Sequence, residues 1–158
     1  GLSSEADLKR LELARAFGAH HTIQVDQADL LETVADITGG DMADLVIDCS
    51  SGGPETVVAA LQLARKRGRV ILGGRKFRGI PEFDSDLMIT RFLTVKGMRG
   101  HSYQSVRMAI ELIASGRYPL ERMCTHVFPL SQVDTAIRTV GGHGLSGAIH
   151  CAVDPWQD

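Results

Sequence analysis

The sequence has no run of apolar residues long enough to cross a membrane, and no charged-then-apolar leader precedes its first amphipathic stretch. A membrane span and a secretory signal are therefore not expected. Cysteine is scarce: Cys49, Cys124 and Cys151 form no Cys-x-x-Cys pair and have no histidine beside them at ligand spacing, so neither a zinc site nor a disulfide framework is indicated. A reducing, cytoplasmic setting is the expectation that follows. Excess charge of one sign is also missing. The 17 Lys and Arg against 19 Asp and Glu leave a net charge of −2, spread along the chain, which excludes the basic face that nucleic acid requires. No Gly-x-Gly-x-x-Gly or Walker loop stands at a strand-to-helix junction, and no spacing argues for a Ser/His/Asp arrangement. The phosphate-cradling element of a nucleotide site is absent from these residues. His20, His21, His101, His126, His143 and His150 form no metal-spaced cluster and read as surface or hydrogen-bonded structural histidines.

What is present is alternation. With 158 residues, 44% of them hydrophobic, the chain can bury one core and reads as one domain over residues 1–158. Helical spacing runs over residues 5–17, with Ser3 or Ser4 to cap it and Gly18 to end it. Residues 22–25 alternate as a strand. Asp29 then caps a helix carrying Leu30, Val34 and Ile37 that ends at Gly39-Gly40. Residues 45–49, apolar apart from Asp48, read as a strand buried on both faces. Pro54 opens a helix through Val57, Val58, Leu61 and Leu63, and Gly68 introduces a strand over 69–72. Further strands are expected over 92–96, near 126–128 and over 147–153. Helices are expected over 102–114, stopped by Gly116, and from Ser131 through Val140. Helices alternating with strands imply βαβ units with right-handed crossovers, hence an α/β, doubly wound parallel sheet. The one long loop, residues 73–86, contains Gly73-Gly74, Gly79 and Pro81, and loops of that length in compact domains are often functional.

Ligands of open parallel sheets bind beyond the carboxyl ends of the strands, which selects a short set of residues. After one strand come Asp48, Cys49, Ser50, Ser51, Gly52 and Gly53. After the next come Gly73 and Gly74, and after a third Gly97, Met98, Arg99 and Gly100. Glycines at three strand ends allow a flat, extended ligand to approach the backbone, with main-chain groups free to bond it; singly, each is equally a turn glycine. Arg99 reads either as a cation facing a phosphate or carboxylate, or as a solvated loop charge. Lys9 and Arg10 read as a solvated helix face or, with Ser3 and Ser4, as a phosphate clamp. Asp48 either accepts hydrogen bonds from neighbouring turns or orients a cofactor.

The order of these pieces resembles the cofactor domain of medium-chain, zinc-type alcohol dehydrogenases. The resemblance lies in Gly1-Leu2-Ser3, in residues 10–15 (Arg-Leu-Glu-Leu-Ala-Arg) and 17–23 (Phe-Gly-Ala-His-His-Thr-Ile), and in Thr38-Gly39-Gly40. It continues through residues 43–50, 67–74 and 93–97, Ala114-Ser115-Gly116 and residues 125–130. Nearly the whole chain is covered; each piece is weak alone, and their succession is specific. The resemblance implies a Rossmann-type domain that binds NAD or NADP. Gly1, Leu2, Ser3 and Arg10 would lie by the adenosine ribose, and Cys49 and Ser50 beside the adenosine half. Leu72, Gly73 and Gly74 would lie beside the nicotinamide ribose, and Met98, Arg99 and Gly100 near the carboxamide. Gly1 stands where NAD-preferring members carry an acid, which makes NADP an expectation as well. The resemblance also implies a first βα unit with its glycine-rich loop and a GroES-like, zinc-bearing catalytic domain, neither of which is in this sequence. By itself the chain is expected to be an incomplete, inactive fragment, without metal ligands of its own. In the parent the implied chemistry is hydride transfer between the nicotinamide and an alcohol or carbonyl, with homodimerisation through a sheet edge near residues 80–83. Two rivals keep other classes open: a zinc-free quinone reductase, and a non-catalytic remnant or interaction module.

Overall fold

Short polar side chains decide where the helices begin. Helix α1 (Glu5–Ala16) starts where the Ser4 hydroxyl accepts the Asp7 N–H at 3.2 Å, and α2 (Leu30–Ile37) where Asp29 accepts the Glu32 N–H at 2.8 Å. Helix α3 (Glu55–Leu63) follows Pro54, whose φ is already helical. The short α4 (Asp86–Thr90) follows Ser85, and α5 (Tyr103–Ala114) opens on a reciprocal capping box between Ser102 and Ser105. Helix α5 ends at Ala114, two residues before Gly116, which adopts φ +61°. Helix α6 is Val133–Val140, and the strands are β1 (Ala43–Asp48), β2 (Ala64–Leu72), β3 (Thr94–Gly97), β4 (Cys124–Pro129) and β5 (His150–Asp154). This computed structural model describes residues 1–51, 53–80 and 83–157. The expected turn glycine Gly52, the loop proline Pro81 and part of the expected dimer edge therefore lie outside the described residues.

The chain is α/β, and among the described residues every strand pairing is parallel, as the alternation predicts. It forms two compact units, residues 29–101 and residues 1–28 with 102–158. In the first, β1, β2 and β3 form a sheet in that order, with Asp48 level with Leu72 and Leu72 level with Gly97. Helix α3 supplies a stripe at the spacing of one helical face: Val57, Ala60 and Leu61 are all buried, as is Ala64 at the start of β2, and Val46, Val70, Leu72 and Val95 pack around them. In the second unit β4 pairs with β5 and α6 packs on both strands; Ala136 and Thr139 of α6 and Phe128 of β4 are buried.

Four expectations are corrected. Strand β1 is not buried on both faces: Val46 and Asp48 turn toward α3, whereas Leu45 and Ile47 remain 43% and 54% exposed, because the helix covers one face of this sheet. Residues 22–25 form no strand. Among their main-chain bonds, the Gly1 nitrogen donates to the Ile23 carbonyl and the Val25 N–H donates to the Gly1 carbonyl, both at 2.9 Å. Helix α6 begins after Gln132 rather than after Ser131, since a 3-10 turn, Leu130–Gln132, comes first. Strand β3 starts at Thr94 because Phe92 holds a left-handed φ of 53°, which an extended strand cannot contain.

Candidate functional site

The parallel ladder of the 29–101 unit brings three strand ends level, so the turns that leave them are neighbours. The N–H groups of Gly73 and Gly74 both donate to the Asp48 carbonyl, at 2.8 and 3.1 Å, and the Met98 N–H donates to the Leu72 carbonyl at 2.9 Å. These three donors are spent within the protein, contrary to the expectation of main-chain donors left free for a ligand. The glycines serve close packing instead. A Cβ on Gly73 would stand 3.1 Å from the Met98 Cε and 3.9 Å from the Cys49 Sγ, and a Cβ on Gly74 would overlap the Ser50 carbonyl. Cys49, Ser50, Leu72, Gly73, Gly74 and Met98 are thus gathered, with Arg99 and Gly100 continuing the turn after β3.

Beneath them lies a polar knot. Asp48, on the α3 side of the sheet, receives the Ser50 N–H (2.9 Å) and hydroxyl (2.7 Å) on Oδ1 and the Thr56 hydroxyl (3.1 Å) on Oδ2. The Lys76 ammonium reaches the same Oδ2 at 2.8 Å, and both side chains are nearly sealed, 7% exposed for Lys76 and 6% for Asp48. Lys76 also donates to the Ser50 carbonyl at 2.6 Å and to its hydroxyl at 2.9 Å, so each of its three protons has an acceptor. Burial works to raise the Asp48 pKa, but hydrogen bonds from Lys76, Ser50 and Thr56 outweigh it and lower the carboxyl to about 2. Of the two readings of Asp48, hydrogen bonding to the neighbouring turns is the one realised in these contacts. Lys76 was missed from sequence: a lysine in a glycine-rich loop carries no pattern that separates it from a solvated charge. The available signal was Asp48 itself, a carboxylate ending a buried strand and in need of a cation.

On the other face of this sheet, Ile47 and Ile71 floor a depression of about 450 Å³ whose remaining lining is Lys96, Gly97, Met98 and Arg99. An apolar floor with cationic groups at the strand ends can take a flat ring that bears or adjoins negative charge. Among the described residues no group of three His, Cys, Asp or Glu is placed to hold a metal ion, and no helix is long and apolar enough to cross a membrane.

The other predicted residues belong to the unit of residues 1–28 and 102–158. The Ser3 N–H donates to Asp26 Oδ2 at 2.9 Å, and Gln27 donates to the Ser3 hydroxyl at 3.2 Å. These Ser3 bonds hold the Asp26 carboxyl below its usual range. A carboxylate therefore accompanies this segment although Gly1 itself has none, which sequence reasoning did not find. Leu2 is half exposed, and Leu11 packs within 3.1 Å of where a Gly1 Cβ would be. The Arg10 guanidinium bonds Asp7 at 3.1 Å and the Ala148 carbonyl at 2.8 Å, so in this structure it is engaged by the protein.

Comparison with known proteins agrees with this architecture. The chain is 32% identical over 138 residues to a probable alcohol dehydrogenase of Mycobacterium tuberculosis, a match covering 86% of this chain and 37% of that protein. It is 32% identical over 126 residues to an L-threonine 3-dehydrogenase of Bacillus velezensis, covering 79% and 36%. An alcohol dehydrogenase from Thermus sp. ATN1 superposes with a TM-score of 0.78 at 26% identity, over 91% of this chain and 40% of that one. An alcohol dehydrogenase from E. coli CFT073, solved in complex with the cofactor NADH, gives 0.76 at 26% identity, over 92% and 41%. The chain thus spans about two fifths of the length of these relatives, and its α/β, parallel-stranded fold is of the Rossmann type found in them. Residues 4–115 match the family described as zinc-binding dehydrogenase, and this chain belongs to that family of alcohol dehydrogenase-like oxidoreductases.

Proposed function

We propose that residues 1–158 are the nicotinamide-cofactor-binding part of a medium-chain dehydrogenase that moves a hydride between NAD(P) and an alcohol or carbonyl. The observation that carries the reading is the convergence of three parallel strand ends, with Gly73 and Gly74 packed on Cys49 and Ser50 and with Met98 and Arg99 rimming an apolar depression. The residues fit the group: a nicotinamide needs an apolar surface for its ring, close backbone approach and compensation for the diphosphate charge. When bound, the nicotinamide supplies the hydride donor or acceptor. The chain's own residues supply position. Gly73, Gly74 and Met98 shape the surface beside the nicotinamide ribose and carboxamide, Ile47 and Ile71 offer the ring an apolar surface, and Arg99 places a cation at the rim. Cys49 and Ser50 form the neighbouring turn on the adenosine side. A separate element of the proposal assigns Gly1, Leu2, Ser3 and Arg10 to the adenosine ribose, with Asp26 as the carboxylate of that segment. Zinc, as Lewis acid on the substrate oxygen, is assigned to residues outside this chain.

The test is a titration of NADH and of NADPH into the whole protein that contains these residues, following nicotinamide fluorescence. Saturable binding of one cofactor, weakened at least about tenfold by Gly73→Val through the crowding at Met98, is the expected result. No saturable binding of either would remove the reading. Preference for NADPH would agree with the missing acid at Gly1, and preference for NADH would place Asp26 in that role.

A further inference from the structure

Lys76 stands apart from the ordinary surface charges of this chain. It lies in the loop after β2, four residues beyond Leu72, yet its side chain is 7% exposed. Its ammonium ends among three oxygens of the β1 turn: Asp48 Oδ2 at 2.8 Å, the Ser50 carbonyl at 2.6 Å and the Ser50 hydroxyl at 2.9 Å. Asp48 ties the same knot to α3 through the Thr56 hydroxyl at 3.1 Å. Ser50 is therefore fixed on both sides, its N–H and hydroxyl by Asp48 and its carbonyl by Lys76. That carbonyl is the atom against which Gly74 packs with no room for a Cβ.

An ion pair of this kind is poorly explained by stability alone, because two buried charges cost desolvation that an apolar pair would avoid. What it provides is a single geometry. The flanking Arg75 and Phe77 are exposed and stack on one another at 4.6 Å, so Lys76 is the inward anchor of a segment that otherwise faces solvent. Phe77 takes a left-handed φ of 57°, a conformation that needs the surrounding contacts to hold it.

We propose that Lys76 is a positioning residue, whose ammonium holds the loop after β2 against the turn after β1 and so fixes the surface that Ser50, Gly73 and Gly74 offer to the dinucleotide. The part concerning the dinucleotide rests on the proposed function; the clamp itself does not. Lys76 touches no reacting atom, and its effect is transmitted through Ser50 and the two glycines.

The test uses the whole protein and three variants, Lys76→Met, Lys76→Arg and the charge-neutral pair Asp48→Asn/Lys76→Gln, read by amide hydrogen exchange and by cofactor kinetics. Loss of the clamp is expected to speed exchange at Ser50, Gly73 and Gly74 at least about tenfold more than at Val70 in the core of the same sheet. It is expected to raise the cofactor KM about tenfold or more while kcat stays within about threefold. The neutral pair, with no orphaned charge, is expected to regain global stability and to keep both defects; Lys76→Arg keeps the cation and is expected to recover much of the cofactor affinity. Uniform acceleration at Val70 and the three turn amides alike would overturn the proposal, since it marks a merely structural residue. So would unchanged exchange and KM in the folded neutral pair. If the unaltered protein bound neither NADH nor NADPH, the nicotinamide reading would fall, and the exchange ratio would still decide the clamp.

Discussion

Gly74 faces the carbonyl oxygen of Ser50 so closely that a methyl group on its Cα would occupy the same space. The Gly74 N–H is held by the Asp48 carbonyl at 3.1 Å, and the Ser50 carbonyl by Lys76 at 2.6 Å, so neither turn can withdraw without breaking a buried bond. Gly74→Ala is expected to destabilise the whole protein by about 1–3 kcal/mol, the usual cost of overpacking, and to weaken cofactor binding. Gly97→Ala is the control, because nothing lies within 4 Å of its Cβ position; a change within about 0.5 kcal/mol is expected there. Urea denaturation of the two variants checks the contrast, and equal losses would contradict it.

The knot around Asp48 has a pH signature. Its folded pKa, lowered to about 2 from the ordinary 3.8, means that the native state holds the proton more weakly than the unfolded chain does. The carboxylate therefore contributes stability that is fully present above about pH 4 and is lost as the pH falls toward 2. Asp48→Asn is expected to reduce the pH dependence of stability within that window and to leave the slope above pH 5 unchanged. Denaturation midpoints taken between pH 2 and pH 6 test this; identical slopes for variant and parent would show that the ion pair contributes nothing to acid sensitivity.

Arg91 closes the other end of the same sheet. Its guanidinium donates to the Gln62 carbonyl at 2.8 Å and to the Ala64 carbonyl at 3.3 Å, taking up acceptors that α3 leaves open as the chain turns directly into β2. The Arg91 carbonyl accepts the Arg67 N–H at 2.7 Å, at a residue held in a left-handed conformation of φ 62°. Arg91→Ala is expected to cost about 1.5–3 kcal/mol, the range for hydrogen bonds to a charged group, with Arg91→Lys intermediate because one ammonium spans the two carbonyls less well. Thermal unfolding of the whole protein measures it.

How far these relationships were legible in the sequence depends on how far apart their partners lie. Asp29, Ser102 and Gly116 announce helix ends because a cap acts on residues three or four positions away, and all three stand where local reasoning places them. The strand ends at Asp48, Leu72 and Gly97 were legible as a set, since parallel strands alternating with helices bring carboxyl ends together. Lys76 was not, because its burial depends on Asp48 and Ser50, more than twenty residues earlier. Nor was the one-sided exposure of Leu45 and Ile47: a continuous apolar strand shows that both faces suit burial, not which of them receives a cover. Residues 22–25 have strand propensity, but their alternation does not show which segment would pair with them.

That uncovered apolar surface leads to a last prediction, about residues 1–158 in isolation. Their accessible surface is 11219 Å², whereas a compact chain of this mass exposes about 7,800 Å² and even two separate domains of these sizes about 9,300 Å². The excess includes Leu45, Ile47 and Met98 in one unit and Met108, Ile110 and Ile113 of α5 in the other, all at least 43% exposed. Strand β1 has β2 as its one strand partner among the described residues, so its other edge carries no strand there. With hydrophobic burial this limited, conformational entropy is expected to prevail, so the isolated segment should lack a cooperative thermal transition and should bind a hydrophobic dye. Calorimetry and dye fluorescence on the purified 158-residue segment test this directly. A sharp two-state transition, with calorimetric and van't Hoff enthalpies equal, would mean that the two small cores around Leu61 and Phe128 suffice, and the exposed faces would then be surfaces of a stable domain.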